Sequence, residues 1–272
     1  MQGVMASRRP QDQQLVTRTV RQLYQRWLRA YVRDPITQQR LKLAWFVWGY
    51  HHLLGARALT VIERLTLIAR FARIDWHVEH AHTPEEISHV CLAILARRAE
   101  PGDLVIEAGC WRGGSSAKFS LACRAAGYSL QVYDSFAGVE ALAPAEIGGG
   151  YDFSGTYAAG REVVEANVAR FGAPEICSFH QGWFSETLAA RPLSQPVSVA
   201  YIDCDLAKGT REALSGILPS LVAGGSVFSQ DYHIEPVQRL LHDPALWARF
   251  DKPMPRVQQL TSRLARLSFS PA

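Results

Sequence analysis

The chain of 272 residues is 48% hydrophobic and 20% charged, a balance of soluble globular proteins that excludes a disordered or fibrous chain. Its 29 basic and 25 acidic residues leave a formal net charge of +4, modest until the charges are placed along the chain; no nucleic-acid partner is expected, although a skewed basic end can also meet phosphate. The five cysteines, Cys91, Cys110, Cys123, Cys177 and Cys204, show no CxxC pair and no zinc spacing, which excludes a disulfide framework and points to a reducing, cytoplasmic compartment.

The basic residues crowd one end. From Gln14 to about Gln39 arginines alternate with Leu15, Val16, Val20, Leu23, Tyr24, Trp27, Leu28 and Tyr31, the spacing of an amphipathic basic helix that Pro35 interrupts. A solvated face is the plain reading of those arginines, and a weak contact with an anionic membrane surface is the sharper one. Helix is expected throughout the second apolar stretch, Leu41 to Phe71; its first part, Leu41 to Leu54, is short and carries Lys42, His51 and His52, so it is not expected to span a membrane. The polar start lacks the apolar core of a secretory signal. Residues 1–82 are therefore expected to form a helical N-terminal extension, serving as acceptor lid, dimer contact or surface contact, ahead of a main domain at 83–272.

Thr83, Pro84, Glu85 and Glu86 open a helix running to about Arg98, with a capping hydroxyl, proline at the first helical position and acids in the first turn. Strand and helix then alternate. Strands are expected at Asp103–Ala108, Leu130–Tyr133, Glu175–His180, Val197–Ile202 and Ser226–Ser229, and helices at Ser115–Ala126, Thr156–Phe171, Thr210–Val222 and Pro236–Phe250. The fold class is thus α/β, a doubly wound and mostly parallel sheet. After Pro253 and Pro255 the runs Val257–Leu260 and Leu264–Phe269 predict a closing hairpin with an antiparallel strand at the end of the sheet.

In such a sheet ligands bind beyond the carboxyl ends of the strands. The first strand is followed by the glycine-bearing turn Glu107–Ser116, and the second ends at Asp134, where an acid can accept from ribose hydroxyls or merely cap a helix. The turn is neither GxGxxG nor a P-loop, which argues against a pyrophosphate and leaves a nucleoside ligand, S-adenosylmethionine being the common one. The fourth strand ends in Asp203 and Asp205 and the fifth in Asp231. Three convergent carboxylates repel unless something relieves them, and a hard divalent ion such as magnesium is one relief; pairing with Lys208 and Arg211 or capping the next helices is the other. His77, His80, His82 and His233 are each placed where they could face an acceptor, although a surface or capping role serves as well for any of them.

The segments EAGCWRGGSS (Glu107–Ser116), YDSFAG (Tyr133–Gly138), FSGTYAA (Phe153–Ala159), GWFSETL (Gly182–Leu188), YIDCDL (Tyr201–Leu206) and GGSVFSQDY (Gly224–Tyr232) occur in the order seen in the macrocin O-methyltransferase family, which the chain resembles from about Leu104 to His233. The resemblance implies a seven-stranded, Rossmann-like domain that methylates a hydroxyl of a sugar or other small natural product with magnesium present. It implies that Glu107, Gly109, Trp111, Gly113, Ser115 and Ser116 hold the methionine part of the cofactor and Asp134 with Ser135 the ribose. Gln181, Gly182 and Trp183 complete that set, with Trp183 near the adenine. By the same resemblance Asp203 and Asp231 are metal ligands and Asp205 the base; Gln230 can add its carbonyl oxygen to the metal set, and His233, set beside Asp231 by sequence, is an alternative base if the metal is missing. Relatives carry two consecutive acids where this chain has Gln230 before Asp231, so a weaker metal site or a cofactor-binding protein with a degenerate metal site stays as an alternative; a catechol-like acceptor, whose two adjacent hydroxyls chelate the same ion, is another. The acceptor is expected to be a glycosylated molecule or vicinal diol and the protein a homo-oligomer.

Overall fold

The computed structural model describes residues 47–141, 152–191, 193–250 and 252–269. The basic helix expected between Gln14 and about Gln39 lies outside the described residues, as does the beginning of the Leu41–Phe71 stretch.

The strands β1 (Leu104–Ala108) and β4 (Val197–Ile202) are buried at every position. Helices cover both of their faces, which is why they read as nearly continuous apolar runs, broken at Glu107 and Ser198, rather than as an alternation. Around them lie β2 (Ser129–Asp134), β3 (Cys177–Gln181), β5 (Leu221–Ser229), β6 (Arg256–Gln259) and β7 (Ala265–Ser268) in the order β3-β2-β1-β4-β5-β7-β6. The first five run parallel, and β7 lies antiparallel to both β5 and β6. Strand order reverses between β1 and β4, and the reversal opens a crevice above their carboxyl ends.

Two hydrophobic layers sandwich this sheet. On one face Val105 packs with Phe71 of α1 (Val61–His77), Ile94 of α2 (Pro84–Leu95) and Phe119 of α3 (Gly114–Ala126), and α4 (Arg161–Phe171) adds Val164 and Val168. On the other, Leu104, Ile106 and Ala108 meet Leu214 of α5 (Ala207–Ile217), Val237 of α6 (Glu235–Leu241) and Trp247 of α7 (Pro244–Ala248). Burying each large apolar side chain is worth roughly 1.5–3 kcal/mol. The alternation along β1 puts Glu107 on the same face as Val105, toward α3.

Several expected elements differ in extent; the strand expected from Glu175 begins at Cys177, behind a 3-10 turn at Pro174–Ile176. The stretch to Phe71 is not one helix: a 3-10 turn at His51–Gly55 intervenes, and α1 begins afresh at Val61 behind a capping box. Thr60 accepts from the amide of Glu63, and Glu63 accepts from the amide of Thr60 at 2.7 Å, a reciprocal start signal that prevails over apolar periodicity. The helix expected from Thr156 starts only at Arg161, since Tyr157 is left-handed at φ 57°. Leu221 and Val222 open β5 instead of closing α5, because Pro219 stands in the 3-10 turn between them. The Pro236–Phe250 helix is two helices, parted where Asp243 caps Pro244–Ala248. The Thr83 capping box and the closing hairpin are as expected.

Candidate active site

One cavity opens over the carboxyl ends of β1, β2, β4 and β5. Its first wall is the β1–α3 turn. Gly109 has φ 90°, and a Cβ there would stand 1.9 Å from the Asp203 carbonyl oxygen, so only glycine lets β1 and β4 end this close together. Gly113, at φ 76°, turns the chain into α3, whose N-terminus no side chain caps. Asp134 braces the turn: one carboxylate oxygen accepts from the amide of Cys110 and the other from Phe136, both at 2.7 Å. A carboxylate has about four acceptor sites, which leaves two for a ligand.

Glu107 lies fully buried behind this turn, and neither of its carboxylate oxygens has a hydrogen-bond partner. Burial pushes its pKa up to about 8, against the opposing effect of the Ser115 and Ser116 hydroxyls nearby. A buried carboxyl with acceptor capacity to spare suits a ligand that brings an ammonium or N–H group.

The second wall is acidic. Asp203, Asp205 and Asp231 each present an oxygen within 4.8 Å of the other two. Asp231 accepts from the amides of Cys204 (2.8 Å) and Asp205 (2.7 Å), and Asp205 reaches that position through a left-handed backbone, φ 58°. Tyr201 donates to Asp203 at 3.2 Å. Burial, then repulsion from Asp231 and Asp205, raises the pKa of Asp203 far above the carboxylate range. Burial lifts Asp205 to about 6 although Arg263 opposes it. Burial and the charge of Asp205 lift Asp231 to about 7. Beside them Gln230 is 3% exposed, and neither its oxygen nor its nitrogen is hydrogen-bonded. Three oxygen donors that repel, next to an unsatisfied amide oxygen, fit a hard divalent cation.

Of the residues singled out by sequence, Gly109, Trp111, Ser115, Asp134 and Ser135 line this cavity, as do Gly182 and Trp183. Asp203, Asp205, Gln230, Asp231 and His233 line its other side. Glu107, Gly113, Ser116 and Gln181 are not among the lining residues; Glu107 and Ser116 are buried, and Gln181 sits beside Asp134 in the β2–β3 register. His80 and His82 line the cavity, whereas His77 is exposed and stacks on Phe171 at 5.4 Å.

Two further groups escaped the sequence reading. Arg263, in the turn between β6 and β7, donates to both oxygens of Glu86 and to the carbonyl of Ala81 while facing the cavity. Although burial works to raise Glu86, that guanidinium holds it below its ordinary value. A lone arginine in a hairpin carries no sequence signal. Tyr157 packs edge-on against Trp111 at 5.3 Å, and burial, then the charges of Asp205 and Asp203, raises its phenol. Its place in FSGTYAA was the available hint.

The sequence pattern of the macrocin-O-methyltransferase (TylF) family matches residues 85–263. The chain is 34% identical over 167 residues to 8-demethyl-8-(2,3-dimethoxy-alpha-L-rhamnosyl)-tetracenomycin-C 4'-O-methyltransferase of Streptomyces olivaceus, covering 56% of this chain and 61% of that protein. It is 29% identical over 176 residues to demethyldecarbamoylnovobiocin O-methyltransferase of Streptomyces niveus, covering 60% of this chain and 66% of that one. The match thus spans less than two thirds of either relative's length. The solved structure of the O-methyltransferase NovP superposes with a TM-score of 0.57 at 23% identity, over 71% of this chain and 84% of that one, which shows a shared fold.

Proposed function

The chain belongs to the macrocin-O-methyltransferase (TylF) family, and from that premise we propose that it is an S-adenosylmethionine-dependent O-methyltransferase acting on a hydroxyl of a sugar or other small natural product with a divalent metal. The observation that carries the reading is the meeting, in one cavity, of the uncapped β1–α3 turn with the Asp203–Asp205–Asp231 cluster. Both curated relatives are named as O-methyltransferases of natural products, one of them on a rhamnosyl tetracenomycin.

S-adenosylmethionine, when bound, supplies a methyl group on a cationic sulfur. A divalent ion held by Asp203, Asp231 and the amide oxygen of Gln230 would supply the positive charge that makes a neighbouring hydroxyl more acidic. The protein does the rest by placement. Asp205, with an oxygen within 4.8 Å of Asp203 and Asp231, is placed to accept the hydroxyl proton. Glu107, Asp134 and the first turn of α3 orient the donor, and a near-attack geometry replaces a bimolecular encounter. His233, whose proton affinity burial and then Arg263 lower, is a neutral donor or acceptor at the rim.

Transfer of labelled methyl to a panel of glycosylated and vicinal-diol acceptors tests the reading, with catechols alongside to separate the two acceptor classes. No transfer to any acceptor would overturn it. A homo-oligomer, a cytoplasmic setting and a weak anionic-membrane contact of the basic N-terminal stretch belong to the same proposal. No described helix is long and apolar enough to cross a membrane, and the five cysteines are free; light scattering and vesicle sedimentation test the oligomer and the membrane contact.

A further inference from the structure

Behind the wall formed by residues 79–82 lies a polar cluster that the proposed chemistry leaves unused. Lys118 of α3 is fully buried, and its Nζ makes a short ion pair with Asp75 of α1. Tyr50 donates to the other oxygen of Asp75 at 2.6 Å. The Lys118 Nζ also stands 2.6 Å from Nε2 of His82. An ammonium offers donors only, so His82 Nε2 must accept, and the neutral imidazole then carries its proton on Nδ1. Burial first and the charge of Lys118 second hold His82 far below its ordinary pKa, in agreement with a neutral ring.

His82 is 8% exposed, and what it exposes belongs to the cavity wall. Its Nδ1 has no acceptor among the described residues. Cε1, the atom between the two ring nitrogens, lies 3.7 Å from the point a Cβ on Gly114 would occupy. The ring therefore sits at the first turn of α3, a helix of 13 residues without a side-chain cap, where main-chain N–H groups and the helix dipole favour an anion. An unpartnered ring N–H of a histidine that is 8% exposed, beside the first turn of an uncapped helix, calls for an acceptor with negative charge.

We propose that His82 binds the carboxylate at the amino-acid end of the methyl donor, and that Lys118 is a positioning residue that fixes the His82 tautomer for this contact. The assignment rests on the reading that the cavity takes S-adenosylmethionine, and the test separates the two. Calorimetric titration compares S-adenosylhomocysteine, which keeps the amino-acid end, with methylthioadenosine, which lacks it. His82→Phe should weaken the first about tenfold or more and leave the second within about twofold, since a hydrogen bond to a charged group is lost only in the first. His82→Asn, whose side-chain amide offers a donor near the place of Nδ1, should recover most of the loss. Equal losses for both ligands, or none for either, would overturn the assignment while leaving the cofactor reading in place; failure of the unsubstituted chain to bind either would overturn both. Nitrogen-15 shifts of His82 in the unsubstituted protein give a readout free of folding effects. Protonated Nδ1 that moves on adding S-adenosylhomocysteine supports the proposal, and protonated Nε2 or no movement contradicts it.

Discussion

The Asp75–His80–His82 cluster and the Asp203–Asp205–Asp231 cluster each bring three ligand-type side chains within 4.8 Å of one another, yet only the first contains its own cation. Lys118 contacts both Asp75 and His82 there, and Tyr50 and His80 flank the carboxylate. The charge is closed within the fold, and no metal is needed. In the second cluster Arg263 is near enough to be felt but is spent on Glu86, and the three acids repel. The contrast teaches that ligand spacing alone does not mark a candidate metal site; uncompensated charge distinguishes the second cluster from the first.

The largest effect is expected from removing one acid of the open cluster. Asp205→Asn should lower the single-turnover methylation rate by about 10²–10⁴-fold, the usual weight of a general base, while calorimetry shows S-adenosylmethionine binding unchanged. An unaltered rate would remove Asp205 from its role.

Breaking the closed cluster should cost stability as well as the His82 contact to the methyl donor. Lys118→Met leaves Asp75 buried without its partner, which typically costs about 3–5 kcal/mol; urea unfolding reads it. Magnesium should not restore the loss, and the double change Lys118→Met with Asp75→Leu should recover much of it. Rescue of the single variant by magnesium would show that the first cluster is a metal site after all.

The pH dependence of the metal-free chain sharpens the comparison further. Asp205 at about 6 and Asp231 at about 7 lie above the ordinary 3.8 of an aspartate, so the folded state binds protons more tightly than the unfolded chain. Their contribution is fully present below about pH 3.8 and is lost as pH rises through 6 to 7. Thermal unfolding should accordingly report a loss on the order of 1–3 kcal/mol between pH 5 and 8. Magnesium should flatten the curve, as should Asp231→Asn; a curve indifferent to both would contradict the electrostatic account.

The smallest effect is expected at Gln230. Gln230→Asp adds one negative charge to the open cluster and should tighten magnesium binding by about tenfold, close to 1.4 kcal/mol, in a calorimetric titration. Unchanged affinity would mean that residue 230 does not face the ion.

Much of this arrangement was legible in the sequence. Val197–Ile202 stands where a mostly apolar run placed it, and the acids at 203, 205 and 231 follow from reading what comes after each strand. Helix starts with a chemical signature, such as Thr83 with Glu86, were readable. The break before Thr60 carried the same signature but was masked by continuous apolar periodicity. Lys118 was not legible, because a lysine in a helix is ordinarily solvated and only the approach of α1 and residue 82 makes it a buried ion. Nor was Arg263, whose partner Glu86 lies 177 residues away and meets it only because β7 returns beside β5.

The most direct test of the account is a calorimetric titration of S-adenosylmethionine into the purified chain, with and without magnesium, followed by methyl transfer to a glycosylated acceptor under the same two conditions. The account predicts binding of S-adenosylmethionine in both and turnover that depends on magnesium. Absence of binding in both would contradict it at its centre, and turnover indifferent to magnesium and to chelators would strike out the metal alone.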